Sequence, residues 1–187
     1  MKRLFPFALL LCAISATPAL ADIQLVAPST ATGSFDVTVE ATNVFAAPHD
    51  TDFLLGYGFD VTFNNALVQF TGETAGPLFI DLSPLPDADV AGVASAILLG
   101  PGDFTEPLVL AVLHFNVIGS GTASIGVTGD PSSSLDQGLI YLSGSDAISA
   151  GTRLTTSAVA TPEPGTALLL FGVLGGAWAA KRKMRRA

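Results

Sequence analysis

Leu55-Gly56-Tyr57-Gly58-Phe59-Asp60-Val61-Thr62-Phe63-Asn64-Asn65-Ala66-Leu67-Val68-Gln69-Phe70 is the stretch on which the fold turns. Leu55, Tyr57, Phe59, Val61 and Phe63 fall on alternate positions, with Gly56, Gly58, Asp60 and Thr62 between them. A period of two places the first set on one face of a strand and the second set on the other. Asn64-Asn65 then supplies side chains that bond their own backbone and tolerate turn geometry, and Leu67–Phe70 resumes the apolar run. The stretch reads as strand, turn and strand, with one dry face.

The same pattern extends in both directions. Upstream, Phe35, Val37, Val39 and Ala41 alternate with Asp36, Thr38, Glu40 and Thr42. Downstream, Pro77, Pro84 and Pro86 mark loop or sheet-edge material between Gly76 and Asp89. Val90–Leu99 reads as a strand closed by Gly100-Pro101-Gly102. Val109, Ala111, Leu113, Phe115 and Val117 form another dry face, Gly119-Ser120-Gly121 turns the chain, and Ala123, Ile125 and Val127 follow. Leu139–Leu142, Ala147–Ala150 and Leu154–Val159 complete the strands. No helical periodicity appears between Asp22 and Ala160. Short strands separated by Gly and Pro turns predict one all-β domain, an antiparallel β-sandwich over residues 22–160.

Both chain ends read as addresses. Residues 1–21 carry Lys2 and Arg3, then the mostly apolar Leu4–Ile14, then small residues at Ala19 and Ala21. This is the anatomy of a secretory signal, with cleavage by signal peptidase expected before Asp22; an uncleaved anchor is the alternative. Cys12, the only cysteine, lies in that segment, so the exported part has neither a disulfide nor a thiol nucleophile.

Residues 161–187 hold three elements in order. Pro162-Glu163-Pro164 is an extended spacer that cannot join a helix. The uncharged run 166–180 follows, and Lys181, Arg182, Lys183, Arg185 and Arg186 form a membrane stop that stays cytoplasmic. At 1.5 Å per residue the run gives roughly 23 Å of helix against roughly 30 Å of hydrocarbon, a short transmembrane helix. The order resembles the PEP-CTERM sorting signal of Gram-negative bacteria. That resemblance implies processing by the membrane protease exosortase, with Pro162, Glu163 and Pro164 as the residues recognised. A plain single-pass anchor is the alternative.

Residues 55–70, followed by Leu98–Gly102, Val109–Asn116 and Gly119–Val127, resemble an early hairpin and the later strands of cohesin-like domains, although Asn64-Asn65 stands where cohesins often have Asp-Pro. The resemblance implies a jelly roll of about nine strands that uses one sheet face to bind a dockerin module. It also implies an architecture shared with carbohydrate-binding modules.

Charge is segregated. Between Asp22 and Glu163 there are sixteen acidic residues and one cation, Arg153, a formal charge of 1 − 16 = −15. Such a domain is a poor ligand for nucleic acid or anionic lipid.

Little here supports catalysis. His49 reads as a loop residue, and His114 shares parity with Leu110, Val112 and Asn116 on an outer strand face. Neither sits in a recognisable triad, a structural zinc site needs more ligands, and no phosphate-binding glycine motif is present. The chain reads as no enzyme, with no catalytic residue and no required cofactor. Calcium on the loop pairs Asp50 and Asp52, Asp87 and Asp89, or Asp130 and Asp136 stays open, although none matches an EF-hand loop. Sugar platforms want exposed Trp or Tyr. The only tryptophan, Trp178, is in the apolar tail, and Tyr57 shares parity with a core face, leaving Tyr141 as the platform tyrosine. Two readings lead, with an enzyme using an unrecognised carboxylate site a distant third. The first is an exported surface or matrix protein, transiently anchored in the inner membrane, whose sandwich contacts another protein. The alternative is an exopolysaccharide-binding module.

Overall fold

The structure is a computed structural model, and it describes residues 21–83, 89–95, 98–132 and 137–158. The expected signal segment up to Leu20, the Pro-Glu-Pro motif, the apolar run and the basic stop lie outside these residues. The described chain forms β1 (Asp22–Val26), β2 (Thr30–Ala31), β3 (Ser34–Thr42), β4 (Leu54–Phe63), β5 (Val68–Ala75) and β6 (Phe79–Asp81). It continues as β7 (Asp89–Ala94), β8 (Leu108–Val117), β9 (Gly121–Gly129), β10 (Gly138–Tyr141), β11 (Ser145–Asp146) and β12 (Ile148–Thr156). No helix occurs among the described residues.

Two sheets face each other. The smaller has the order β1-β3-β8-β5, antiparallel throughout. The larger runs β11-β10-β4-β9-β12-β2, with β7 on β4 and β6 on β7. Its last pair, β12 with β2, is parallel. The inward positions of both sheets are largely those the alternation predicts, but Leu110, expected on the outer face of β8, is buried where the register with β3 shifts between Val39 and Glu40. Val37 and Val39 of β3, Leu113 and Phe115 of β8, Tyr57 and Phe59 of β4, and Ile125 and Val127 of β9 are all buried. Removing such side chains from water contributes roughly 1.5–3 kcal/mol each, which sets the sandwich's register. At one end Phe115 is surrounded by Phe35, Phe63 and Phe70, with ring centroids 5.4 to 5.8 Å from its own.

Three expectations need correction. The Asn64-Asn65 turn does not close a hairpin, because β4 lies in the larger sheet and β5 in the smaller. Asn64 accepts hydrogen bonds from Leu67 and Val68 and sends the chain across the sandwich. The strand expected over Val90–Leu99 stops at Ala94, and Leu99 only bridges Leu54. The segments Ala147–Ala150 and Leu154–Val159 are one strand, β12, because Gly151 and Thr152 stay in register with Gly126 and Ile125.

Gly92 shows how closely neighbouring strands of the larger sheet pack. A Cβ there would lie 2.6 Å from the Tyr57 ring, so a glycine on β7 makes room for the tyrosine of β4.

Candidate functional site

The outer face of the larger sheet is unusually bare. On β4 the outward positions are Gly56, Gly58, Asp60 and Thr62, and the partners of Gly58 and Thr62 are small as well. Gly56 pairs with Val93 on one side and Ile140 on the other, and Val93 pairs with Ile80. The row Ile80–Val93–Gly56–Ile140 is therefore an apolar stripe across β6, β7, β4 and β10. Ile80 is 54% exposed, Val93 37%, and Leu82, just beyond β6, 60%. Two residues along β4, Gly58 pairs with Ala91 and Gly138. Further along, Thr62 pairs with Gly126, and Gly126 with Gly151. The face thus passes from an exposed apolar end, over a low glycine floor, to a polar end at Asn64, Ser124 and Arg153. By strand rise, the eight positions from Gly56 to Asn64 span about 26 Å.

A second constellation stands at the β3–β4 loop. His49 is buried, with Nδ1 3.0 Å from Asp52 Oδ2 and Nε2 3.0 Å from Asp146 Oδ2. Its ring stacks on Tyr141, whose hydroxyl donates to the Val44 carbonyl at 2.7 Å. The Ser143 hydroxyl donates to Asp52, and so does the Phe53 N–H at 2.8 Å. Burial acts to raise the Asp52 pKa, but the bonds from Ser143, Phe53 and His49 outweigh it and hold it down at about 2. Tyr141 is pushed well above the usual phenol value by burial, and then by the charges of Asp146, Asp52 and Glu106.

The loop placement of His49 is as expected, but the residue is no bystander: it clasps the loop to β10 and β11. Nothing in the sequence marks this, since its partners are 3 and 97 residues away. Tyr141, expected as a sugar platform, is 2% exposed and committed to the core, because β10 turns its ring inward under His49. Tyr57 is buried as its parity implies. His114 lies on the outer face of the smaller sheet, bonded to Asp36 at 2.8 Å and to Thr74 at 2.9 Å.

The serine near His49 bonds to Asp52 rather than to an imidazole nitrogen, so the clasp is not arranged as a nucleophile with its base. Among the described residues, no group of three or more His, Asp or Glu side chains is placed to hold a metal ion. Of the acidic pairs considered for calcium, Asp52 is engaged in the clasp, Asp130 accepts from Ser132, and Asp87 and Asp136 lie outside the described residues. Of the residues expected at the processing sites, Ala21 and Asp22 are described, and β1 begins at Asp22. Ala19, Pro162, Glu163, Pro164, Lys181, Arg182, Lys183, Arg185 and Arg186 lie outside.

Residues 160–186 match the PEP-CTERM protein-sorting motif, which marks an exported protein sorted at the membrane. No curated protein matches this sequence. In three dimensions the chain is similar to the cohesin module of a family 33 glycoside hydrolase from Clostridium perfringens, with 6% identity and a TM-score of 0.57 over 76% of this chain and 100% of that one. A non-cellulosomal cohesin from Archaeoglobus fulgidus follows at 14% identity and a TM-score of 0.45, covering 76% and 93% of the two chains. A type II cohesin domain from the cellulosome of Acetivibrio cellulolyticus gives 17%, 0.44, 76% and 93% in the same order. At these identities the likeness is one of fold, and the first comparison carries it. The chain is a protein with a PEP-CTERM sorting motif at its C-terminal end and a β-sandwich of cohesin-like fold before it.

Proposed function

We propose that this is a non-catalytic, exported surface or extracellular-matrix protein, processed by exosortase, whose sandwich binds another protein through the apolar end of the larger sheet. Export would leave it transiently anchored in the inner membrane with a cytoplasmic C-terminus before processing. The observation that carries the reading is the Ile80–Val93–Leu82 surface, three large apolar side chains held open to solvent on one face beside a glycine floor. An exposed apolar patch framed by polar surface is characteristic of a protein contact. Cohesins use a sheet face to hold dockerin modules, so a folded module of that kind is the partner class expected.

The polysaccharide alternative ranks second. Its aromatic candidate, Tyr141, is buried, and calcium assistance would need ligands beyond those brought together among the described residues.

The test is the double substitution Ile80→Thr with Val93→Thr, polar but strand-compatible and uncharged, in the full chain, expressed in its own cell and crosslinked. Both positions are exposed, so export and thermal unfolding should be unchanged, while the dominant crosslinked protein adduct disappears. An adduct retained at wild-type level would sink the assignment of this face.

A further inference from the structure

At the other end of the same face, Thr62, Asn64, Ser124, Gly126, Gly151 and Arg153 line an open groove of about 830 Å³. Arg153 is the single cation between Asp22 and Glu163, where sixteen carboxylates stand. It is exposed, and no carboxylate lies within ion-pair distance of it among the described residues. A cation in a domain of formal charge −15 has many possible partners, so an unpaired one stands out. The nearest carboxylate along the groove strands, Asp60, sits two residues from Thr62 on β4, on the side away from Arg153. By strand spacing its Cα is about 16 Å from that of Arg153.

The lining is otherwise neutral and rich in hydrogen-bonding groups. The Thr62 and Ser124 hydroxyls have no partner among the described residues, and Asn64 uses its carbonyl oxygen on the Ala66 N–H, leaving its NH₂ free to donate. Phe63, Ile125 and Thr152 contribute backbone here, since their side chains turn inward. Gly126 and Gly151, paired side by side, keep the floor low.

We propose that this groove is a binding subsite for an acidic saccharide, a uronate-type sugar whose carboxylate is held by Arg153. Salt screens charges beyond about 10 Å at 0.1 M, so at the groove the cation acts before the distant carboxylates that turn away extended polyanions. A guanidinium offers paired N–H donors that match a carboxylate's two oxygens. The hydroxyls and amide around it complement a sugar's ring hydroxyls, and the glycine floor admits a flat ring. An acidic peptide fits less well, because stable peptide contacts are centred on apolar anchors and this groove exposes no apolar side chain. The groove lies apart from the Ile80–Val93–Leu82 surface, so the proposal stands or falls independently of the protein-contact reading.

The experiment uses the full chain in detergent, titrated with trigalacturonate, with its neutral trimethyl ester and with the peptide Gly-Glu-Gly. Binding is followed by calorimetry and by the side-chain Nε–H signals of arginine, with Arg153 assigned from R153Q. Trigalacturonate should bind and move the Arg153 signal, and its affinity should fall about tenfold or more in R153Q and with the ester. Equal affinity of R153Q and the native chain would place any binding on the basic tail and overturn the proposal. So would no saccharide binding at millimolar concentration, or tighter binding of Gly-Glu-Gly than of trigalacturonate. Arg153 is exposed, and unchanged thermal unfolding of R153Q confirms that the variant is folded.

Discussion

The imidazole of His49 lies flat against the phenol ring of Tyr141, with centroids 3.8 Å apart and planes within 4°. This stack brings two carboxylates, Asp52 of the loop and Asp146 of β11, to opposite edges of one ring. His49→Ala removes the stack and leaves two nearly buried carboxylates facing a void. A lost pair of this kind costs about 3 kcal/mol when buried, and less where water can enter. Urea unfolding should show a loss of about 2–3 kcal/mol, and amide exchange over residues 43–53 should accelerate more than exchange in β3 or β8. Uniform acceleration would mean that the clasp does not pin the loop in particular.

Asp52 gives the clasp a pH signature. Its folded pKa of about 2 lies below the ordinary 3.8. A carboxyl depressed in the folded state stabilises fully above its unfolded value, and that contribution fades as pH falls through the folded one. Stability should therefore drop as pH goes from about 4 to about 2, and Asp52→Asn should flatten that part of the profile while lowering stability at neutral pH. Superimposable profiles of the two proteins would assign the acid sensitivity to other carboxylates.

Tyr57 presents the opposite situation. Its hydroxyl is buried with no hydrogen-bond partner among the described residues, between β4 and Gly92 of β7. Burial, then the charges of Asp81 and Glu73, push its pKa well above the usual phenol value. An unsatisfied buried hydroxyl costs about 1–3 kcal/mol, whereas the ring packs on Phe59 and Phe79 and should be kept. Tyr57→Phe should raise stability by about 1 kcal/mol in denaturant unfolding. A loss instead would show that the hydroxyl is satisfied in solution.

The sandwich was legible because its signal is local. Phe35 to Thr42 and Leu55 to Phe63 declare a dry face within a few residues, and burial follows parity at Val37, Val39, Tyr57 and Phe59. Pairing between strands was not legible, because the crossing at Asn64 and the meeting of Ile80, Val93, Gly56 and Ile140 depend on residues up to 84 positions apart. The clasp failed for the same reason. The side Tyr141 faces is not legible because β10 is only four residues long, too short for alternation to tell inside from outside. Arg153 stood out by charge count alone, but its groove needs β4, β9 and β12 assembled.

The tail makes its own prediction. Residues 160–186 match a sorting motif, and the apolar run offers Leu168, Leu169, Leu170, Phe171, Val173 and Leu174 as its large side chains. Together these favour insertion by only about 2–4 kcal/mol, on a run shorter than the hydrocarbon thickness. On the proposed reading the run holds the protein only until it is processed, and release depends on recognition of Pro162-Glu163-Pro164. Replacing those three residues with alanine should leave the full-length chain in the inner membrane, its C-terminal epitope intact, while the native chain loses the epitope and leaves the membrane fraction. The strand domain is untouched by the change, so its folding serves as the internal control. Identical fractionation of both forms, each keeping Lys181 to Arg186, would reduce the tail to a plain anchor.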